Sequence, residues 1–180
     1  MHRLAGLVTI ALLASAGSAA AGGVKWKKVK WTCSYPREPT PYKGTYSAPQ
    51  GWTMSTTAEP PCPRRIRLEA PAGSNAHFEI GTVRAGIALE TRARWHLQDA
   101  VVTTQGGVTC GEGIAVDWNG VAADPPLRAV RCAKALKGGG VLVASLVGDA
   151  ALFAKLGGQK AVRSALKAVT GLRVPLDQES

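Results

Sequence analysis

Gly138-Gly139-Gly140-Val141-Leu142-Val143-Ala144-Ser145-Leu146-Val147-Gly148-Asp149 is the stretch on which the fold turns. Seven residues, β-branched and almost wholly apolar, stand between two sets of turn formers. That pattern predicts a short strand buried on both faces. Such a strand needs a layer of chain above it and another below. The residues just downstream can supply one layer, because Val162, Ala165, Leu166 and Val169 recur at helical spacing on a single face.

Working outward, Ile66, Leu68 and Ala70 alternate with Arg65, Arg67 and Glu69, and Ala76, Phe78 and Ile80 alternate after a Pro71-Ala72-Gly73-Ser74-Asn75 turn. Two alternating runs across such a turn predict an antiparallel hairpin. From Ala85 to Val102 the period changes, with Leu89, Ala93, Leu97 and Ala100 at helical intervals and Glu90 four residues before Arg94. A helix is expected there, ended by Gln105-Gly106-Gly107. Ile114, Val116 and Trp118 lead to an Asn119-Gly120 turn, and Leu127 to Leu136 reads as a further strand. Asp149 is placed to cap a final helical segment broken at Gly157-Gly158, with Lys160, Arg163 and Lys167 on its wet face. Upstream, Thr45 to Thr57 reads as a strand, a Pro49-Gln50-Gly51 turn, and a second strand carrying Trp52 and Met54. The expected class is α+β: an antiparallel sheet of about six to seven strands covered by helices on both faces.

The chain opens with Arg3, an apolar stretch from Leu4 to Ala16, and the small residues Ser18-Ala19-Ala20-Ala21. This is the layout of a secretory signal peptide, too short for a membrane span. It implies a secreted or periplasmic product. The expected organisation is a signal peptide over 1–21, a basic proline-rich arm over 22–43, one α/β domain over 44–175 and a tail over 176–180. Seven prolines between residues 36 and 63 favour extended or turning backbone and exclude a helix. Four cysteines, Cys33, Cys62, Cys110 and Cys132, fit an oxidising compartment as two disulfides. Three pairings are open; Cys33 with Cys62 and Cys110 with Cys132 is favoured, since each joins neighbouring segments. With no CxxC or HxxxH, neither a zinc site nor a thiol redox site is expected.

The formal net charge is +10, and it is unevenly placed. Between Gly22 and Arg65 eight cations face only Glu38 and Glu59. Within that region Lys25, Trp26, Lys27, Lys28, Lys30 and Trp31 interleave ammonium groups with indoles. Such a segment can hold an anionic envelope polymer, lipid headgroups or an acidic protein. Equally, it reads as an edge strand whose lysines deter aggregation while its tryptophans lie on the body. Nucleic acid is disfavoured for an exported chain. No GxSxG, P-loop, GxGxxG, HExxH or calcium-loop pattern is present, so no catalytic residue, metal or cofactor is assigned. Only His77 and His96 lie beyond the signal segment. His77 with Glu79, and His96 with Asp99, are read as solvated faces ahead of acid–base pairs. Ser145 is read as a satisfied core hydroxyl, and Glu112 and Asp117 as separated along the sheet. The leading expectation is an exported non-catalytic binding module. Its rivals are a small secreted hydrolase using His77 or His96, and a carrier of an apolar ligand held between sheet and helix.

The Tyr46-Ser47-Ala48-Pro49-Gln50-Gly51-Trp52 segment, followed by a hairpin, a helix, antiparallel strands and a closing amphipathic helix, resembles the PsbP-like α/β/α family over about Gly44 to Leu172. That family includes extrinsic subunits of the photosynthetic oxygen-evolving complex, and a Ran-binding nuclear transport factor shares its fold. The resemblance implies a non-catalytic module that docks on other macromolecules, with Lys25 to Trp31 as its basic arm. Two disulfides and a simple export signal depart from the photosynthetic members. No calcium-binding or docking residue is carried over.

Overall fold

A computed structural model describes residues 24–33, 42–55, 65–137 and 139–170, with Trp31, Thr32, Cys33, Tyr42 and Arg65 entering through their backbones alone. The expected signal peptide, the C-terminal tail, Cys62 and most of the proline-rich connector lie outside the described residues, and so does the expected Cys33 to Cys62 bridge.

Two strands, β1 (Trp26–Cys33) and β2 (Tyr42–Pro49), form an antiparallel ribbon of their own. The remaining strands are β3 (Thr53–Met54), β4 (Arg65–Glu69), β5 (His77–Val83), β6 (Leu97–Gln105), β7 (Val108–Ala115), β8 (Arg128–Ala135) and β9 (Val141–Gly148). They build one seven-stranded sheet in the order β3-β4-β5-β9-β8-β7-β6, with every pairing antiparallel. The glycine-bounded apolar run is therefore the central strand, hydrogen-bonded to β5 on one side and β8 on the other. Helices α1 (Leu89–Arg94), α2 (Ala150–Leu156) and α3 (Gly158–Lys167) complete the fold. Asp149 accepts the Leu152 N–H through Oδ1 at 2.8 Å and so caps α2, as its position before the apolar run predicts.

The side chains of β9 alternate between two unlike environments. Leu142, Ala144 and Leu146 point to a first face, where Phe78, Ile80, Val130 and Cys132 join them beneath Phe153, Leu156, Val162, Ala165 and Leu166 of the helix pair. Cys110 and Cys132 sit directly opposite each other on β7 and β8 and are joined by a disulfide, as the segment order suggests. The ribbon extends this cover, since Tyr46, Ala48 and partly Trp26 and Val29 pack on the same cluster. Each large side chain removed from water here contributes about 1.5–3 kcal/mol. On the second face Val141 and Val143 meet Ala133, Val83 and Leu89, the last from α1.

The helix expected over 85–102 is instead six residues long, and the chain becomes a strand at Leu97. His96 and Asp99 adopt left-handed backbone angles, φ 58° and 53°, which no helix can contain, and the β-branched Val101-Val102-Thr103-Thr104 then favours the sheet. Gln105-Gly106-Gly107 consequently turns a hairpin rather than ending a helix. Gln105 faces Val108, and both glycines have positive φ, as a tight two-residue loop requires. The second face thus has a single helix of under two turns where the sequence pattern anticipates full cover. The fold is α+β as expected, but its layers are unequal.

Arg163, expected on the wet face of the last helix, is only 8 % exposed. Its Nη1 donates to the carbonyl oxygens of Val108 and Gln105 at 2.6 and 3.1 Å, and its Nη2 to Thr103 Oγ1 at 2.9 Å. Five N–H donors on a planar group can serve several acceptors at once. Arg163 therefore ties α3 to the β6–β7 hairpin at the edge of the sheet.

Candidate functional site

The uncovered half of the second face carries polar residues that lie far apart in sequence. Register places Arg67 opposite Glu79, Glu79 opposite Ser145, and Ser145 opposite Arg131, a row running across β4, β5, β9 and β8. Two residues along the strands, Glu69, His77, Val147 and Ala129 form the next row on the same side. Above them the chain leaving α1 through Trp95 and His96, together with Val116, Val121 and Leu127, raises a wall. The result is a cleft of about 520 Å³ with the sheet as its floor. Gly111 lets α1 lie close against β7, because a Cβ there would collide with the Ala93 carbonyl.

The charges that border this cleft are largely engaged. Arg67 Nη1 donates to Glu79 Oε1 at 3.2 Å, and its Nε pairs with Glu69. Asp117 Oδ1 accepts the N–H groups of Val121 and Asn119, each at 2.8 Å; the Val121 bond first, then those of Asn119 and Gly120, hold its carboxyl below the ordinary range. His77 shifts for another reason. Burial, and after it the positive charge of Arg67, hold its imidazole below the ordinary histidine value, while Glu79 and Glu69 pull the other way. His77 is accordingly neutral at pH 7. His96 Nδ1 lies 3.2 Å from the Asp117 carbonyl oxygen, and the Arg92 guanidinium sits 5.0 Å over the Trp95 ring.

His77, Glu79 and His96, which the sequence singles out separately, therefore line one cavity. Asp99 stands apart as an exposed residue of a β-bulge, and Glu112 pairs with Arg128 at 2.9 Å rather than with Asp117. Ser145 is on the cleft floor instead of inside the core. The His96 ring meets a backbone carbonyl at Nδ1, and among the described residues no imidazole is joined to a hydroxyl or carboxylate as a nucleophilic triad requires. Among the described residues no three His, Cys, Asp or Glu side chains gather as a metal site. Arg131, Trp95 and Leu127 are site residues that the sequence pattern does not single out. A lone arginine or serine inside an otherwise apolar strand, as in Ala129-Val130-Arg131-Cys132 and Val143-Ala144-Ser145-Leu146, is the signal that could mark the floor.

The lysine-rich segment forms a second surface. It is not a separate arm, for it is folded into β1. The Val24 N–H donates to the Lys155 carbonyl at 3.1 Å, Trp26 Nε1 donates to the Leu156 carbonyl at 3.1 Å, and the Trp26 ring meets Phe78 edge-on at 5.3 Å. Lys25, Lys27, Lys28 and Lys30 are exposed while Trp26 is drawn inward; the Trp31 side chain is not described. Lys43 on the ribbon and Lys155, Lys160 and Lys167 on the helix pair are exposed as well. Residues 24–33, 42–55 and 150–170 contain no aspartate or glutamate. Every acidic side chain of the described residues lies between Glu69 and Asp149.

Neither family models nor curated proteins give a match to this chain. Among solved structures, it is similar in fold to the Saccharomyces cerevisiae Ran-binding protein Mog1p, with a TM-score of 0.51 at 11 % identity over 83 % of this chain and 96 % of that one. At that identity the likeness is one of fold.

Proposed function

We propose that this chain is an exported, non-catalytic binding module that docks an acidic protein through the ribbon and helix-pair side of the molecule. The observation that carries this reading is the lysine-bearing surface of β1, β2, α2 and α3, four elements that contain no aspartate or glutamate, the nearest described acid in sequence being the α2 cap Asp149. Ammonium groups in solvent cost little to present, attract an oppositely charged partner over about a Debye length, and weaken with salt. Because Trp26 fastens β1 to the body, these charges are held in a fixed array, which lowers the entropy lost on docking. The shared fold of Mog1p, described as Ran-binding, favours a protein over a polymer or a lipid headgroup as the partner. Export rests on the apolar leader and its small-residue cleavage pattern. Membership of the PsbP-like family rests on the order of elements and the Tyr46 to Trp52 segment.

The test compares retention of the protein on immobilised polyglutamate, on phosphatidylglycerol vesicles and on isolated envelope polymer, at about 0.05 and 0.5 M salt. The expected result is retention on polyglutamate at low salt, lost at high salt and lost in a variant carrying Lys25→Glu, Lys27→Glu, Lys28→Glu and Lys30→Glu. Equal retention of that variant would remove the ribbon from the account. Retention on vesicles or polymer alone would replace the protein partner by that surface.

A further inference from the structure

We infer that the cleft over the second face of the sheet binds a small monoanionic amphiphile, an aryl or alkyl body carrying a carboxylate or sulfonate. About 520 Å³ is within the range of small-molecule sites, and the wall above the floor is largely apolar, with Leu97, Val116 and Leu127 facing Val147 of the floor. That wall selects a hydrocarbon body. The floor selects the head. Two carboxylates line the cleft, with Glu69 just outside it, and all three have partners: Glu79 and Glu69 are paired with Arg67, and Asp117 is engaged by two backbone N–H groups. What the floor presents to a ligand is donor chemistry from the Arg131 guanidinium and the Ser145 hydroxyl beside it in register. A guanidinium carries five donors in a fork, so a partner within the protein still leaves N–H groups to meet an oxyanion. The site is independent of the lysine surface, which lies across the sheet beside the first-face core.

Two fluorescent probes of matched shape separate the contributions: 8-anilino-1-naphthalenesulfonate, which has the anionic head, and N-phenyl-1-naphthylamine, which lacks it. The full chain is expected to bind one equivalent of the sulfonate at least about tenfold more tightly than the neutral probe. Arg131→Gln should remove about that tenfold for the sulfonate while leaving the neutral probe unchanged, the loss expected for one charge-assisted hydrogen bond. Because Arg131 is half-buried and its replacement could perturb folding, Ala122→Trp at the cleft mouth serves as the second variant and should exclude both probes with the circular dichroism spectrum intact. The site is overturned if the two probes bind alike, if Ala122→Trp leaves sulfonate binding unchanged, or if the four-lysine variant, rather than the cleft variants, abolishes it. That last result would put the anion on the lysine surface. Loss of polyglutamate retention with sulfonate binding intact would separate this site from the docking reading.

Discussion

The two faces of one sheet are finished differently, although the same strands supply both. Leu146 is 0 % exposed and packed under the helix pair, whereas its neighbour Val147 is partly exposed on the cleft floor. Adjacent residues of a single strand thus divide core packing from access to the cavity. The difference lies in the helical cover: α2 and α3, of seven and ten residues, roof the first face, while the six residues of α1 reach over only part of the second. A well-packed core tolerates no void, but a face left short of cover becomes a cavity without disturbing the packing opposite.

The sharpest way to break this contrast is a pair of truncations in the central strand. Leu146→Ala should cost about 3–5 kcal/mol and Val147→Ala under about 1.5 kcal/mol in urea unfolding, since only the first leaves an enclosed hole. Equal costs would mean that the second face is as tightly packed as the first. Next in size is Arg163→Met, which leaves the carbonyls of Val108 and Gln105 short of a donor; about 2 kcal/mol should be lost, with faster amide exchange confined to the β6–β7 hairpin. A loss spread evenly over all strands would show that Arg163 does not act as a tie for that edge.

The smallest effect concerns His77. The charged groups around it are Arg67 and Glu69 from β4 and Glu79 from its own strand, with Arg131 further across the cleft floor. Its folded value is lowered, so between that value and about pH 6.5 the unfolded chain holds a proton that the native chain lacks. Stability contributed by the neutral imidazole is complete above about pH 6.5 and falls as the pH drops toward the lowered folded value, where the loss is complete. His77→Gln should flatten that part of the profile when wild type and variant are unfolded in parallel from about pH 4.5 to about pH 7.5, a window that reaches about two units below and about one above the ordinary histidine value. An unchanged slope would mean that the imidazole is not desolvated.

The central strand, the β4–β5 hairpin and the capped helix pair are legible because each is written in consecutive residues: an unbroken apolar run, a strict alternation, an aspartate three residues before the N–H it accepts. The lysine segment is legible as an edge strand with its indoles on the body, as one of two readings, although the place where it docks is not, because Trp26 is fixed by Leu156 and Phe78 from distant parts of the chain. The segment from Leu97 to Ala100 misleads, since Leu89, Ala93, Leu97 and Ala100 satisfy helical spacing by count alone. Two non-glycine residues in the left-handed region reset the backbone, and no periodicity registers such a break. The cleft is hidden by that same false period. Its floor is a row of residues assembled by cross-strand register, with Glu79, Ser145 and Arg131 brought abreast from three separate strands. The sequence marks the members of that row one by one, as lone polar residues in apolar strands, but holds no trace of their alignment.

One consequence of the unequal faces concerns orientation. With its ammonium-bearing side pressed against a partner, the molecule turns its cavity to the solvent, a sheet's thickness from the contact. On the proposed readings, a ligand in the cleft and a partner on the lysine side would lie on opposite faces of the sheet, so that neither would displace the other.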